Sequence, residues 1–306
     1  MKLKTKIPDG FVKDTPAAIV VHEDVRRLWA IQLDLLAKID AICRKHCIRY
    51  SLDYGSLIGA LRHGGFVPWD DDVDVVMPRA DFEKFESVVA GELEDYQFYQ
   101  NWQNSPGYYR PFARLLNTRT KAVLEDDLAK GQPLWHYPQS VFVDIFVAEN
   151  IPDDGAMRER HFKKLKKLHK KYWNARRCVA FARNWRCVRN WNGAKKKIRQ
   201  GRWLLFLSCL GFDAVDRWFK EFYAELTRYR NDNVRGCAAF IHRPSKPLAR
   251  ADFDDLVDVD FEFLKVKAFR RADAHLQEVY GDWHRQVVWP RDAMSYDLTD
   301  IEFDGH

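Results

Sequence analysis

The chain has 306 residues, of which 46% are hydrophobic and 14% aromatic, and its formal net charge is +6. This length accommodates one large domain or two, and so much apolar material excludes an intrinsically disordered chain. Residues 1–10 lack the apolar core of a signal peptide, and the longest apolar run, 203–212, is too short to span a bilayer. We therefore expect neither translocation nor a transmembrane helix.

Charge and cysteine are unevenly used along the chain. Residues 156–202 hold 18 Lys and Arg against a single acid, Glu159, so this segment carries +17 and the rest of the chain −11. The six cysteines form no Cys-x-x-Cys pair, and we interpret them as reduced core residues, Cys43 and Cys47 sharing one helix face. We predict a cytoplasmic protein, with peripheral contact to the inner face of the membrane as an additional expectation.

The first predicted element is a supporting helix over 22–48. Its apolar residues recur every three or four positions, which is typical of an amphipathic helix packed against a sheet. These positions are Val25, Leu28, Trp29, Leu33, Leu36, Ile39, Ile42 and Cys43.

The stretch 53–79 follows, and it contains a cluster of carboxylates, which are unfavourable in a packed apolar core. Because alternate residues of a strand point to the same side, Asp70, Asp72 and Asp74 would share one face, with Asp71 opposite and less important. Crowded carboxylates repel one another unless a hard divalent cation neutralises them, which predicts Mg²⁺ or Mn²⁺. The alternative is a solvated acidic turn.

Just upstream, Gly55 and Ser56 open a segment, 57–63, with helical spacing. Glycine allows a ligand to approach the backbone, and the free N–H groups of a helix start attract anions. Ser56 is expected to act as an N-cap or as a phosphate donor, and the alternative is that the pair only makes a turn and a cap.

Beyond the acidic stretch, we predict a helix over 80–91 ended by Gly91, two or three strands within 96–124, and a buried strand over 140–147. The last strand contains a lone acid, Asp144. Burying a carboxylate is costly unless it is paired or bound to a metal, so Asp144 is either a further metal ligand or the partner of an arginine.

The basic segment 156–202 mixes lysine and arginine with Trp173, Trp185 and Trp191. Three interpretations stay open: a helical insertion with solvated basic faces, a surface for anionic membranes, and a nucleic-acid contact. No nucleic-acid-binding motif is present, so nucleic acid is not expected as a partner. An amphipathic helix is predicted next, over 213–229.

A Gly-Ser pair, a helix and a hydrophobic-Asp-hydrophobic strand resemble the nucleotidyltransferase fold of DNA polymerase β. The strings Tyr54 to His63 and Phe66 to Asp74 are similar to the LicD family in particular, as are Phe261 to Phe263 and a helix ending in Tyr280-Gly281-Asp282-Trp283. The resemblance covers about 20–150 and 250–290. It implies an α/β fold, a mixed sheet with flanking helices, to which this chain adds a helical basic insertion.

The resemblance also implies roles for particular residues. Catalytic and metal-binding carboxylates would be Asp72, Asp74 and Asp144, with Asp70 as a further metal ligand. Nucleotide and phosphate contacts would come from Gly55, Ser56, Arg62, His63, Arg114 and Thr120. For Arg114, guanidinium pairs bidentately with phosphate oxygens, and the alternative is a surface strand arginine.

LicD-like enzymes, with the related fukutin-related proteins, move phosphocholine or an alditol phosphate from a CDP-activated donor to a glycan hydroxyl. The resemblance therefore implies a CDP-choline or CDP-alditol donor, release of CMP, and a glycan or glycolipid acceptor such as lipopolysaccharide, teichoic acid or capsule. The alternatives are a nucleotidyltransferase that attaches NMP to a small molecule or protein, and a non-enzymatic membrane or nucleic-acid adaptor that uses the basic segment.

The expected organisation has four parts. An N-terminal extension covers 1–20, the nucleotidyltransferase core 21–152, a basic and aromatic helical region 153–235, and a C-terminal part packed on the core 236–306.

Overall fold

A computed structural model describes residues 3–10, 21, 23–122, 137–183, 211–239, 247–285 and 302–303. Part of the basic segment lies outside these residues, including Trp185 and Trp191. Six α-helices are described: α1 Glu23–Lys45, α2 Tyr54–His63, α3 Arg79–Val89, α4 Gly155–Arg183, α5 Gly211–Leu226 and α6 Ala272–Tyr280. A short 3₁₀ helix covers Arg250–Asp254.

The described strands are β1 Ser51–Leu52, β2 Asp74–Pro78, β3 Gln97–Gln100, β4 Ala113–Asn117, β5 Thr120–Lys121, β6 Phe142–Ile151, β7 Gly236–Ala239, β8 Leu248–Ala249, β9 Leu256–Phe261, β10 Leu264–Phe269 and β11 Glu302–Phe303. Seven of them form one mixed sheet. Its main path runs β1-β2-β6-β4-β3, and β7 extends it by pairing with β6 and β8. The predicted α/β fold, a mixed sheet with flanking helices, is confirmed.

Strand β6 lies at the centre of this sheet. It pairs in parallel with β2 and antiparallel with both β4 and β7, which lie end to end along it. All but one of its ten residues are buried, as the apolar run at 140–147 predicts. Because β2 and β6 run side by side in the same direction, their first residues meet at one edge of the sheet.

The supporting helix is confirmed as α1, and every apolar position named for it is buried. It contributes to a large core built on the sheet, which also takes in Phe253, Phe261, Phe269 and Leu276 from the C-terminal part. Described residues of 247–285 therefore contribute side chains to the same core as the sheet. The helix after β2 ends earlier than predicted. Its last residue is Val89 and its C-cap is Ala90, whereas the sequence predicts that Gly91 ends it.

Helices α4 and α5 pack on each other around a second, aromatic core. Its buried members include Tyr172, Phe219 and Phe222, together with Tyr108 and Tyr109 from the loop before β4. Helix α5 confirms the amphipathic helix expected over 213–229. Among the described helices, none is both long and apolar enough to cross a lipid bilayer.

Among the cysteines whose side chains are described, Cys43 and Cys237 are buried and free, as expected. Cys47 is exposed, which contradicts the prediction of a shared buried face. The reason is local: α1 ends at Lys45, and Cys47 lies in the following turn with a positive φ of 51°.

Candidate active site

Helix α2 starts one turn earlier than its spacing suggests, directly after β1. Asp53 is its N-cap, and the Asp53 carboxylate accepts a hydrogen bond from the Tyr54 N–H. Ser56 therefore lies inside the first turn, and the prediction that it is the N-cap is wrong. Its hydroxyl oxygen instead accepts a hydrogen bond of 2.9 Å from the Asp74 N–H, which ties the start of α2 to the start of β2.

The acidic residues form a loop rather than a strand face. Strand β2 begins only at Asp74, so Asp70, Asp71 and Asp72 precede it and are not bound by strand alternation. Carboxylate oxygens of these three residues lie within 4.8 Å of one another. Asp71 is buried and belongs to the cluster, so its predicted place on an opposite face is wrong.

Helix α1 holds this loop in position through two side chains. The Trp29 indole N–H donates to the Asp70 carbonyl at 3.0 Å, and the buried Gln32 amide donates to the Asp71 carbonyl at 2.7 Å. Both bonds use backbone carbonyls of the loop. The carboxylates themselves are thereby left to face one another.

Gly55 allows the acidic loop to approach α2. A Cβ atom at this position would collide with the Asp70 carboxylate, whose oxygen occupies that space. The sequence predicts that a ligand approaches Gly55 closely, whereas in the structure the Asp70 carboxylate makes that approach. The start of α2 and the acidic loop form one compact arrangement.

Two further carboxylates meet at the edge where β2 and β6 begin. Asp74 and Asp144 are direct partners in the parallel register, and Arg114 of β4 is opposite Asp144. The Arg114 Nε donates to Asp144 Oδ1 at 2.7 Å, while its Nη2 is 3.5 Å from Oδ2. Arg114 is buried, with its guanidinium 3.5 Å from the Phe142 ring centroid, so it is not a surface arginine.

Burial and crowding together shift the acidity of these groups. Burial first, and then the neighbouring Asp71, raise the pKa of Asp70 to about 6. Burial and the charge of Asp74 raise the pKa of Asp72 well above its ordinary value, and burial and Asp144 do the same for the pKa of Asp74. Each carboxylate is thus held in a place that disfavours its own charge.

A divalent cation fits this arrangement. Asp74 Oδ1 is buried and has no hydrogen-bond partner among the described residues, and such an atom is costly unless something binds it. Carboxylate oxygens are the ligands that Mg²⁺ and Mn²⁺ prefer. The cluster Asp70, Asp71 and Asp72 could hold a metal ion, and Asp74 adjoins it.

Three residues expected to bind phosphate lie away from this centre or are engaged elsewhere. Arg62 and His63 are in the last turn of α2, about 10 Å along the axis from Ser56 at 1.5 Å per residue. The Thr120 hydroxyl donates to the Asn117 carbonyl and accepts from the Val141 N–H. Its only hydrogen is therefore committed to the backbone.

Sequence reasoning missed two polar residues at this site. Asp53 carries an N-cap signal, since an Asp directly before a helix start is a preferred cap. His275 of α6 has no local signal, yet its Nε2 is 2.9 Å from the Asp53 carboxylate across 222 positions of sequence.

Comparison with known proteins agrees with this geometry. Residues 47–190 match the family described as LicD/FKTN/FKRP, nucleotidyltransferase domain. Residues 47–190 belong to the LicD family. This LicD domain contains all of the carboxylates discussed above, and the predicted family is confirmed.

Individual relatives extend the match. The chain is 24% identical to the lipopolysaccharide cholinephosphotransferase LicD of Haemophilus influenzae over 261 residues, which cover 85% of this chain and 91% of the relative. It is 43% identical to the ribitol 5-phosphate transferase FKRP of Homo sapiens and of Mus musculus over 51 residues. Those residues cover only 16% of this chain and 10% of FKRP. The chain is thus a distant homologue of both transferases.

Proposed function

We propose that this protein transfers phosphocholine or an alditol phosphate from a CDP-activated donor to a hydroxyl of a glycan, releasing CMP. The observation that carries the proposal is the group of carboxylates at the start of β2 and β6. No group in the described part of the chain hydrogen-bonds the buried Asp74 Oδ1, and the pKa values of Asp70, Asp72 and Asp74 are raised. A site of this kind suits a metal ion and the phosphates that accompany it.

In this proposal, Asp72 and Asp74 hold Mg²⁺ or Mn²⁺, with Asp70 and Asp144 completing the ligand set. The bound ion supplies neutralisation of the phosphate charge. Asp71 lies within the same cluster, and we add it to the candidate ligands. The Trp29 and Gln32 hydrogen bonds keep the loop fixed, so the carboxylates are oriented before the donor arrives.

Side chains of the same site also bind the donor and accept the proton of the acceptor hydroxyl. The acceptor hydroxyl oxygen forms a bond to the phosphorus distal to cytidine, and the bond from that phosphorus to the CMP oxygen breaks, its electron pair leaving with CMP. Asp144 takes the hydroxyl proton, since its Oδ2 is only weakly engaged by Arg114. Arg114 holds Asp144 in place and presents positive charge to the phosphates.

The phosphate contacts that we propose at α2 come from its first turn. Gly55 and Ser56 lie there, and the N–H groups of a helix start favour an anion. Arg62 and His63 remain proposed contacts for a more distant part of the donor, such as the cytidine, because they lie at the other end of α2. Thr120 remains a proposed contact, although its hydroxyl bonds favour a structural role.

The homologues support donor and acceptor classes without fixing either. One transfers phosphocholine to lipopolysaccharide and the other ribitol 5-phosphate by name, so choline and ribitol are the first donors to test. A second candidate is transfer of NMP with release of pyrophosphate, which the description of the family as a nucleotidyltransferase domain favours. The released product separates the two reactions.

We also propose that the basic helix α4 meets an anionic membrane surface from the cytoplasmic side. Four exposed lysines, Lys163, Lys166, Lys167 and Lys170, lie on one face of α4 at helical spacing, opposite the face that packs on α5. Lys163 is paired with Glu159, while Lys164 and Lys171 on the flank pair with acids of α5. Sedimentation with anionic but not neutral vesicles, lost at high salt, tests this proposal.

The main proposal is tested by incubating the protein with CDP-choline, CDP-ribitol or CDP-glycerol, with Mn²⁺ and with or without glycan acceptors, and measuring CMP. We expect metal-dependent release of CMP from one of these donors and transfer of its phosphate-containing group. Pyrophosphate release from CTP or ATP with labelled product would favour the second candidate. Absence of both products, with Mn²⁺ bound, would contradict catalysis of either kind.

A further inference from the structure

We propose that the C-terminal residues 256–283 position the active site, with His275 and Glu262 holding the two ends of α2. The inference rests on the proposed metal centre, and it concerns a segment outside the matched LicD domain. Helix α2 carries Gly55 and Ser56 at its start, so its placement decides where two of the carboxylates lie.

At the start of α2, His275 reaches Asp53. Its Nε2 lies 2.9 Å from Asp53 Oδ1, the oxygen that also accepts from the Tyr54 N–H. Both side chains of the pair are largely buried, at 12% and 5% exposure. The Asp53 backbone continues the link, since its N–H donates to the Asp74 carbonyl at 3.1 Å.

The backbone at this corner is held in an unusual conformation. Tyr54 has a φ of 49°, in the left-handed region that bulky residues rarely adopt. Such a conformation persists only where the surroundings over-determine it. The Asp53 bonds to Tyr54 and His275 are part of those surroundings.

At the other end of α2, Glu262 holds the turn that leads into the acidic loop. Its carboxylate accepts from the Phe66 N–H at 3.0 Å, and its own N–H donates to the Gly64 carbonyl at 2.7 Å. Gly65 admits this side chain, because a Cβ there would collide with the Glu262 carboxylate. Glu262 is buried at the tip of the β9–β10 hairpin.

These contacts bear on the proposed metal centre through two links in the structure. Gly55 contacts the Asp70 carboxylate, and the Ser56 hydroxyl accepts from the Asp74 N–H. A shift of the α2 start therefore displaces Asp70 and loosens Asp74. His275 and Glu262 are positioning residues, since neither is one of the proposed metal ligands.

The test compares His275→Leu, His275→Gln and His284→Leu in the full chain. The glutamine amide can donate to Asp53 as the imidazole does, whereas leucine cannot. His284, the residue after this segment, is a matched control, because its Nε2 makes a similar 3.1 Å contact with Asp273 but on the surface. Hydrogen exchange of the 54–57 amides is measured without metal, and Mn²⁺ affinity is measured by titration calorimetry.

We expect His275→Leu to speed amide exchange at 54–57 and to weaken Mn²⁺ binding about tenfold. This is the lower end of the loss caused by removing a direct hydrogen-bond partner of a metal ligand, because His275 acts one step further away, through Asp53. His275→Gln should restore both to near wild-type values, and His284→Leu should change neither. Equal exchange and affinity in His275→Leu and His284→Leu would overturn the inference, as would failure of the glutamine to restore either. Wild-type protein that binds no Mn²⁺ would instead overturn the metal centre, while the exchange result still decides whether His275 holds α2.

Discussion

Each end of the parallel pair β2–β6 places an arginine beside buried carboxylates. The two ends differ in how far the negative charge is balanced by cations. At the far end, Arg79 and Glu149 form a buried, bidentate ion pair, and the more exposed Glu83 carboxylate lies 4.0 Å from the same guanidinium. At the near end, Arg114 pairs with Asp144, but Asp74 and the acidic loop add more carboxylates than any described cation there neutralises.

This difference separates a structural ion pair from a candidate site. A buried pair with matched charges satisfies its own hydrogen bonds and requires nothing else. A group of crowded carboxylates, with a buried Asp74 oxygen that no described residue hydrogen-bonds, is incomplete without a cation. The predictions below ask whether the two ends respond differently to the same kind of change.

The largest expected effect is on stability at the far end. Arg79→Met leaves the Glu149 carboxylate buried and unpaired, and removing one partner of such a pair costs about 3–5 kcal/mol. Urea unfolding measures the loss, and Arg44→Met is the control, because Arg44 forms exposed pairs whose value is below about 1 kcal/mol. Mn²⁺ affinity of the folded Arg79→Met protein should be unchanged. A large loss of affinity would show that the two ends are not independent.

At the near end, Asp72→Asn and Asp74→Asn should lower turnover at least about 100-fold, the scale of single electrostatic groups in active sites. Each change removes a charge where the cation is proposed to bind, yet the amide fits the same space. The folded state should be retained, and thermal unfolding checks this alongside CMP release. Near-normal rates in both variants, with metal still required, would show that these carboxylates are not the ligands.

A smaller effect is expected from Gly55→Ala. The added methyl group must displace the Asp70 carboxylate, so Mn²⁺ affinity should fall by about tenfold, again the lower end of such effects. Gly91→Ala is the matched control, because a Cβ there would meet only the Val88 carbonyl at 3.7 Å, an ordinary contact. If calorimetry gives similar Mn²⁺ affinities for both variants, Asp70 is not part of the metal site.

The smallest expected effect is a pH dependence of the metal-free protein. Folding raises the pKa values of Asp70, Asp72 and Asp74. Their contribution to stability is therefore fully present below the ordinary pKa of aspartate. It is lost as pH rises through the pKa of each group in the folded protein, which is about 6 for Asp70. With chelator present, the melting temperature should fall between pH 5 and 8 by a few degrees more in wild type than in Asp74→Asn. Identical pH profiles for the two proteins would contradict the charge crowding.

Much of this fold follows from the sequence. The period of α1, the buried run of β6 and the amphipathic α5 each depend on local pattern, and all three agree with the structure. The acidic residues and Gly55-Ser56 were also found, because their residue types are unusual beside apolar runs.

What the sequence did not provide are the pairings in space. Arg114 and Asp144 are 30 positions apart, and only the register of β4 on β6 brings them together. The place of Asp71 in the cluster depends on the loop geometry before β2, which strand alternation does not describe. The Asp53–His275 contact spans most of the chain and has no local pattern at all.

The claim that the near end of β2–β6 holds a divalent cation is tested most directly by Mn²⁺ titration of the wild-type protein, Asp74→Asn and Glu149→Gln. The account predicts saturable binding by the wild type, loss of that binding in Asp74→Asn, and retention in folded Glu149→Gln, whose carboxyl lies at the far end. Equal binding by the wild type and Asp74→Asn, or no binding by the wild type, would contradict it.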